Sequence, residues 1–259
     1  MTEPAGAAET LDAFHRGAFW LVQPQGGHRA GTDAMMLAGA VPSSFAGRLA
    51  DLGAGAGAAG LGVAARCPQA CVVLVERSPV MADYARRTLA HPLNAGLASR
   101  AEVLEADVAL SGRAREAAGL GAESFDFTIL NPPFNASADR ASPDALRREA
   151  HVMGDALWER WLRTAAALVR PRGGLALIAR PESLPAIFGA LGNRFGGAEL
   201  LAIHPRECAP AIRVVLRAWR GSRKRLSLHP PLALHDGPGH GFSPRADAVN
   251  NGFASLFGD

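Results

Sequence analysis

Cysteine is scarce in this chain. Cys67, Cys71 and Cys208 are the whole set among 259 residues. An odd number without paired spacing argues against a disulfide framework and against a zinc site, so no metal is expected. Long uncharged apolar runs are missing as well, so neither a membrane-spanning helix nor a membrane partner is expected. The first ten residues carry acids and lack the charged-then-apolar pattern of a secretory leader, which makes a reducing cytoplasm the expected location. Lysine is nearly absent, Lys224 being the single one. Nothing in the sequence fixes the oligomeric state.

The basic residues that are present are unevenly placed. The net charge is only +3, yet from Arg160 to Arg225 thirteen Arg and Lys face three Glu, a local charge of +10. The rest of the chain holds fourteen bases and twenty-one acids, or −7. Such polarity can build a basic face for a polyanion, or it can scatter arginines over helix and strand exteriors. Arg172, Arg213, Arg217, Arg223, Lys224 and Arg225 are the candidate contacts to a nucleic-acid backbone.

The length suits one large α/β domain, or one domain with small appendages, and is enough to bury a core without staples. Residues 1–47 precede the first clear strand, as an extension packing near the active site. Within them, Gly31-Thr32-Asp33 before Ala34-Met35-Met36-Leu37-Ala38 reads as an N-cap and a short helix. A main domain over 48–220 follows. Its expected strands are 48–52, 71–76, 101–105, 125–130, 175–179, 199–204 and 211–219. Expected helices are 58–66, 79–90, 155–169 and 183–195, with Pro79 suiting a first helical turn. The polar stretch 135–150 reads as a loop or lid. Pro171-Arg172-Gly173-Gly174 reads as the end of a helix and the start of a strand. Residues 221–259, rich in proline and glycine, read as a C-terminal extension wrapping the surface. Strands alternating with helices predict an α/β fold with a mostly parallel sheet, closed by an antiparallel C-terminal hairpin.

In such a sheet, ligands bind at the carboxyl ends of the strands. Four elements of this sequence fall at such ends. The first is Asp51-Leu52-Gly53-Ala54-Gly55-Ala56-Gly57, whose glycines Gly53, Gly55 and Gly57 permit a sharp turn and close approach of a ligand to the backbone. The second is Glu76, a carboxylate able to accept both hydroxyls of a ribose. The third is Asp107-Val108, where Asp107 can accept an adenine amine. Together these suit an adenosyl cofactor. Gly55, Gly57 and Gly60 also spell the glycine pattern of a dinucleotide site, with Glu76 at about the right distance. Asp51 distinguishes the two, because a carboxylate there would repel a pyrophosphate but favour the cationic end of S-adenosylmethionine. Each acid also has a plainer role open to it: Asp51 and Asp107 as turn caps, Glu76 as an exposed strand end.

The fourth element is Asn131-Pro132-Pro133-Phe134. The Asn side-chain oxygen and the Pro132 carbonyl can each accept an N–H from one planar amine. The prolines fix the backbone that aims them, and Phe134 can lie flat on the ring that carries the amine. A dinucleotide site leaves this element unexplained. Methylation of a base or amide nitrogen by S-adenosylmethionine uses it.

These residues resemble class I amino-methyltransferases. The stretch from Leu21 to Leu37, with Gln23-Pro24-Gln25-Gly26-Gly27-His28-Arg29-Ala30-Gly31-Thr32-Asp33, is similar to the N-terminal signature of bacterial tRNA1(Val) adenine-N6 methyltransferases. The resemblance implies a Rossmann-like seven-stranded sheet, S-adenosylmethionine as cofactor, and an adenine beside the anticodon of a tRNA as acceptor. It carries Glu76 and Asp107 over as cofactor contacts and Asn131 to Phe134 as the acceptor clamp. Phe134 departs from the Tyr common in that family, keeping the stacking surface and losing the hydroxyl. Segment 135–150 and the tail fit the family less well. Asp33, Arg29, Arg140, Arg172 and Lys224 are the candidate substrate contacts. For Asp33 a helix-dipole role is equally open, and for His28 and Arg29 a solvated turn. The competing functions are a protein glutamine methyltransferase, a small-molecule methyltransferase, a nicotinamide oxidoreductase and a catalytically silent RNA-binding module.

Overall fold

The computed structural model describes residues 8–26, 29–132 and 144–259, with side chains in the last span from residue 156. The chain opens with a hairpin of β1 (Glu9–Phe14) and β2 (Phe19–Pro24), followed by α1 (Thr32–Gly39). A strand-helix alternation follows: β3 (Gly47–Leu52), α2 (Ala58–Arg66), β4 (Ala70–Glu76), α3 (Pro79–Ala90), α4 (Ala95–Ala98), β5 (Ala101–Glu105), α5 (Gly112–Ala117) and β6 (Phe125–Leu130). Next come α6 (Asp144–Leu168), β7 (Val169–Ala179), α7 (Leu184–Leu191), β8 (Phe195–Arg206) and β9 (Arg213–Arg220). The chain closes with β10 (Ser227–Leu228), β11 (Leu232–His235) and α8 (Pro244–Asn250).

The main sheet runs β5-β4-β3-β6-β7-β9-β8, and β10 and β11 both pair with β8 at its far edge. The pairings among β3, β4, β5, β6 and β7 are all parallel, and β9 is antiparallel to both β7 and β8. This is the mostly parallel seven-stranded sheet with a C-terminal antiparallel hairpin, extended by two short strands. Both faces are covered, which is why the central strands are near-continuous apolar runs. Leu49, Val72, Leu74, Phe127 and Ile129 face one core with Met35, Leu61, Tyr84 and Val249. Their neighbours Ala50, Val73, Val75 and Leu130 face the other with Trp158, Leu162, Ile187 and Leu191.

Glycines on α2 allow it to lie close to the sheet. A methyl group on Gly60 would come within 2.5 Å of Leu74 and 2.9 Å of Val72. At α3, Ser78 caps the helix by accepting the Met81 N–H, and Pro79 occupies the first turn.

Several expectations need correction. The first 47 residues contain a β-hairpin. Its second strand buries Phe19 and Leu21, and its free edge is held by side chains. Thr88 Oγ1 accepts the Val22 N–H at 3.0 Å, while Asn94 takes the Trp20 N–H and donates to the Trp20 carbonyl. Polar partners on α3 and beside it stand in for a further strand. Residues 144–150, expected in a loop, are helical, consistent with the Ala, Leu, Arg and Glu content of that stretch. Pro171 to Gly174 belong to β7 rather than to a helix end, and the register with β6 shifts there between Phe125 and Phe127. The C-terminal segment does more than wrap the surface. Ala246, Val249 and Leu256 are fully buried, and the buried guanidinium of Arg217 on β9 pairs with Glu199 and with Asp259.

Candidate active site at the carboxyl ends of the strands

Strand register brings the four sequence elements to one rim. Leu52 at the end of β3 is paired with Val75 on β4 and with Leu130 on β6, and Glu76 is paired with Glu105 on β5. Gly53 and Asn131 therefore follow directly on paired residues of adjacent strands, whose spacing is about 4.8 Å. Glu76 ends the strand on the other side of β3. Asp107 lies two residues past β5.

Gly53, Gly55 and Gly57 have φ of 78°, 57° and 99°, a left-handed conformation that L side chains rarely adopt. The loop is tied to β4 by the Gly53 and Ala54 N–H groups, which both donate to the Val75 carbonyl at 2.8 and 3.0 Å. A methyl group on Gly53 would lie 2.6 Å from the Trp161 ring, and one on Gly57 2.7 Å from Leu74. Gly55 is different. The nearest atom to an added methyl there is Met81 Cε at 3.8 Å, so the loop keeps an accessible flank at this residue.

Glu76 is buried, and both its oxygens are already engaged. Oε2 accepts the Gly55 N–H at 2.9 Å and Oε1 the Ser78 N–H at 2.7 Å. A carboxylate has about four acceptor positions, so each oxygen retains capacity for one further donor. Asp51 is 2% exposed and accepts the Gly60 N–H at 2.8 Å. Burial pushes its carboxyl up to about 7, against the Gly60 hydrogen bond, and the Glu76 charge adds to the rise. Among the described residues neither acid has an ion-pair partner. Two neighbouring carboxylates without a cation are an environment that a positively charged ligand would relieve, and a pyrophosphate would aggravate.

Asp107 is half-exposed. Oδ1 accepts the Ala109 N–H at 2.7 Å, and Oδ2 lies 3.9 Å from Arg77. Val108 is buried. Asn131 is half-buried and Pro132 buried at the end of β6. Pro133, Phe134, His28 and Arg140 lie outside the described residues.

The candidate substrate contacts do not converge. Asp33 pairs with Arg213 at 2.7 Å, and Arg213 begins β9 on the same rim as Asn131. The helix start is Gly31, with no side-chain cap, so Thr32 does not take the capping role. Arg29 is paired with Asp12 in the hairpin. Burial opposes the charge of Asp12, but hydrogen bonds from Thr10 and Gln23 and the Arg29 charge outweigh it and hold that carboxyl below its ordinary value. Arg172 and Lys224 sit at the opposite end of the sheet. Arg172 precedes Gly174, the partner of Phe127 on β6, and the Lys224 carbonyl accepts from Gly197 near the start of β8.

Sequence reasoning missed Trp161, Arg77 and the Asp33–Arg213 pair. The signal for Ser78 was present in Ser78-Pro79, a helix-start signature. No local signal marks Arg213 as the partner of a residue 180 positions away. No helix among the described residues is long and apolar enough to cross a membrane. No group of three or more His, Cys, Asp or Glu that could hold a metal occurs among them.

Comparison with known proteins adds three kinds of relative. The model of the methyltransferase small domain matches residues 28–205. A tRNA1(Val) (adenine(37)-N6)-methyltransferase of Porphyromonas gingivalis is 31% identical over 160 residues, covering 60% of this chain and 60% of the relative. A ribosomal RNA large subunit methyltransferase G of Ectopseudomonas mendocina is 32% identical over 160 residues, covering 61% of this chain and 36% of that protein. The chain thus spans 60% or less of the length of these two relatives. Among solved structures, protein Atu636 from Agrobacterium tumefaciens, described as a predicted O-methyltransferase, is 46% identical, with a TM-score of 0.75. The match covers 86% of this chain and 98% of that one.

Proposed function

We propose a function from one premise: this chain belongs to the methyltransferase small domain family, whose enzymes depend on S-adenosylmethionine. On our reading it methylates the exocyclic N6 amine of an adenine in tRNA. The observation that carries the reading is the pairing of Leu52 with Leu130, which sets Gly53 and Asn131 side by side.

The residues fit the cofactor. The spare acceptor capacity of Glu76 suits the two ribose hydroxyls, Asp107 the adenine amine, and the accessible flank of the loop at Gly55 the methionine portion. Gly53 and Gly57 hold the turn, Asp51 and Glu76 favour positive charge, and buried Val108 backs the adenine side. When bound, S-adenosylmethionine supplies a methyl group activated by its sulfonium. The protein then has to aim a lone pair. In our reading Asn131 Oδ1 and the Pro132 carbonyl accept the two amine hydrogens, which draws the nitrogen toward a tetrahedral shape. Phe134 stacks on the base, and Pro133 stiffens the clamp. Transfer of that methyl would release S-adenosylhomocysteine and leave the nitrogen cationic, so that its proton would pass to solvent. Orientation and stabilisation of that charge supply the rate, and no strong base is needed.

The acceptor is read from the relatives, two of which are named for methylation of tRNA and ribosomal RNA. An RNA acceptor places the reaction in the cytoplasm. Asp33 and Arg213 at the same rim are the nearest candidates for ordering the acceptor. The division into a 1–47 extension, a 48–220 catalytic domain and a 221–259 extension is part of the proposal. One observation favours a second reading, transfer to oxygen: the 46% identical Atu636 is described as a predicted O-methyltransferase.

Transfer of tritiated methyl to tRNA, followed by digestion to nucleosides, tests both. Label in N6-methyladenosine is the expected result. Label in a 2′-O-methyl nucleoside would favour the oxygen reading, and tRNA without label would end the tRNA reading.

A further inference from the structure

A cavity lies at the other end of the sheet, away from the rim that carries Gly53 and Asn131. It is an open pocket of about 460 Å³ between the residues leading into β3, the start of β6, the bulge of β7 and the end of β9. That volume suits a small ligand or a single nucleotide. Its wall is aromatic: Phe127 meets Phe45 edge-on at 5.7 Å between ring centroids and Trp219 edge-on at 5.9 Å. Arg170, Pro171 and Arg172 line it as well.

The backbone of this frame is specialised. Gly174 lies so close over Phe127 that a methyl group there would be 2.1 Å from the ring, and one on Gly173 would be 2.7 Å from the Asp126 carbonyl. Arg172 has φ of 68°. A non-glycine residue in the left-handed region is strained, and such strain concentrates where a side chain must be presented in a fixed direction.

Charge at this end is one-sided. Arg170, Arg172, Arg220, Arg223, Lys224 and Arg225 all belong to the β7 bulge or to the end of β9 and the turn after it. Asp126 pairs with Arg170, and Glu123 with Arg220 at 3.0 Å. The other four cations have no ion-pair partner among the described residues. Along β6, Asp126 is five residues from Asn131, about 16 Å at the usual rise, so this basic end is not part of the methyl-transfer rim.

We propose that this end of the sheet is a second RNA-docking site, which takes one unpaired nucleotide with its base in the cavity against Trp219 and Phe45 and its phosphates on Arg172 and on the 223–225 turn. The proposal rests on the RNA reading of the function. It explains two features that reading leaves unused: the excess of unpaired cations far from Asn131, and an aromatic cavity at the same end of the sheet, lined by one of those cations, Arg172. Aromatic stacking and a cationic groove are the usual combination for unpaired nucleic acid.

The test uses the full chain with saturating S-adenosylhomocysteine and a fluorescent ten-nucleotide unpaired oligoribonucleotide, titrated by anisotropy at several salt concentrations. Two variants are compared with the parent. Arg172→Gly removes the cation at a backbone conformation glycine adopts freely, and R223E/K224E/R225E reverses the turn. The first should weaken binding several-fold. The second should weaken it at least tenfold and flatten the logarithmic salt dependence by about 2, as expected for three lost phosphate contacts on a single strand. Cofactor affinity, measured separately, should stay within twofold and so report an intact fold. Photo-crosslinking with 5-iodouridine in the oligoribonucleotide should mark the peptide containing Phe45 or that containing Trp219. Parent-like affinity and salt slope in both variants, or crosslinks confined to other peptides, would overturn the proposal. So would a parent that binds no oligoribonucleotide. If tRNA is not methylated but these variants still lose oligoribonucleotide binding, the docking site stands and the tRNA-acceptor reading falls.

Discussion

The two ends of the sheet differ in the sign of the charge they leave uncompensated. At the carboxyl ends, Asp51 and Glu76 sit buried without a cation, and Asp107 has only the distant, exposed Arg77. At the amino ends four cations lack an acid among the described residues. One sheet therefore presents an acceptor-rich rim suited to a cationic donor and a base-rich rim suited to a polyanion. The difference teaches why net charge was a poor guide here: +3 overall does not reveal how the uncompensated charges divide between two rims about one strand length apart.

The division can be broken most sharply at Asn131. Asn131→Ala should cut turnover by about 10²- to 10³-fold, the usual effect of losing a positioned hydrogen-bonding group in a transition state. Cofactor affinity should change by less than about threefold. Single-turnover kinetics with a parallel cofactor titration separates the two, and equal losses in both would remove the clamp from the chemistry. Gly53→Ala comes next. The new methyl would meet the Trp161 ring at 2.6 Å with φ at 78°, a combination of overpacking and backbone strain costing about 2–4 kcal/mol. Cofactor binding should be lost with it, and a thermal melt with and without cofactor would show both effects.

Asp51 gives the acidic rim a pH signature. In the folded chain its carboxyl is held protonated up to about 7, against an ordinary value of 3.8. The native state then holds a proton that the unfolded chain has released, so this group's contribution to stability is complete below about pH 4. It is lost as pH rises toward 7, by a few kcal/mol at most. Asp51→Asn should remove that loss, which urea unfolding at pH 5 and pH 7.5 would reveal as a difference between variant and parent. A parent that gains stability relative to the variant over this interval would contradict the burial of an uncompensated acid. A cationic ligand favours the ionised form, so cofactor affinity should rise with pH through the same range.

Glu76→Gln should weaken the cofactor by about tenfold, the scale of one charge-assisted hydrogen bond. An amide at that position also turns one of its N–H groups toward a backbone donor, Gly55 or Ser78. Isothermal titration measures the change, and parent-like affinity would leave Glu76 as a loop brace alone. The smallest effect belongs to Arg77→Ala. The pair with Asp107 is 3.9 Å long and exposed, so cofactor affinity should move by less than about threefold.

Much of the central fold was legible because its strands are buried on both faces. β6, α2 and α3 match their expected bounds, and so does the half-exposed edge strand β5. Helix starts at Pro79 and after Gly57 carry local signals that tertiary packing does not override. What escaped was decided by partners distant in sequence. β1 is half-exposed along its length, and β2 is anchored by Thr88 and Asn94 rather than by a third strand. The first turns of α6 are polar and imitate a loop. The β7 bulge contains proline and two glycines, which read as a break although the strand runs through them. The candidate site divides in the same way. Glycine loop, Glu76, Asp107 and Asn131 were legible because strand ends share a rim by topology. Arg172 and Lys224 were chosen from charge alone, and charge does not say which end of a strand a residue occupies.

The central claim is that the acidic rim takes the donor. A crystal structure with S-adenosylhomocysteine tests it most directly. The account predicts the ribose hydroxyls on the two Glu76 oxygens, the adenine amine at Asp107 and the thioether beside Asn131. Ligand density in the cavity beside Trp219, with Glu76 bonded only to Gly55 and Ser78, would contradict it.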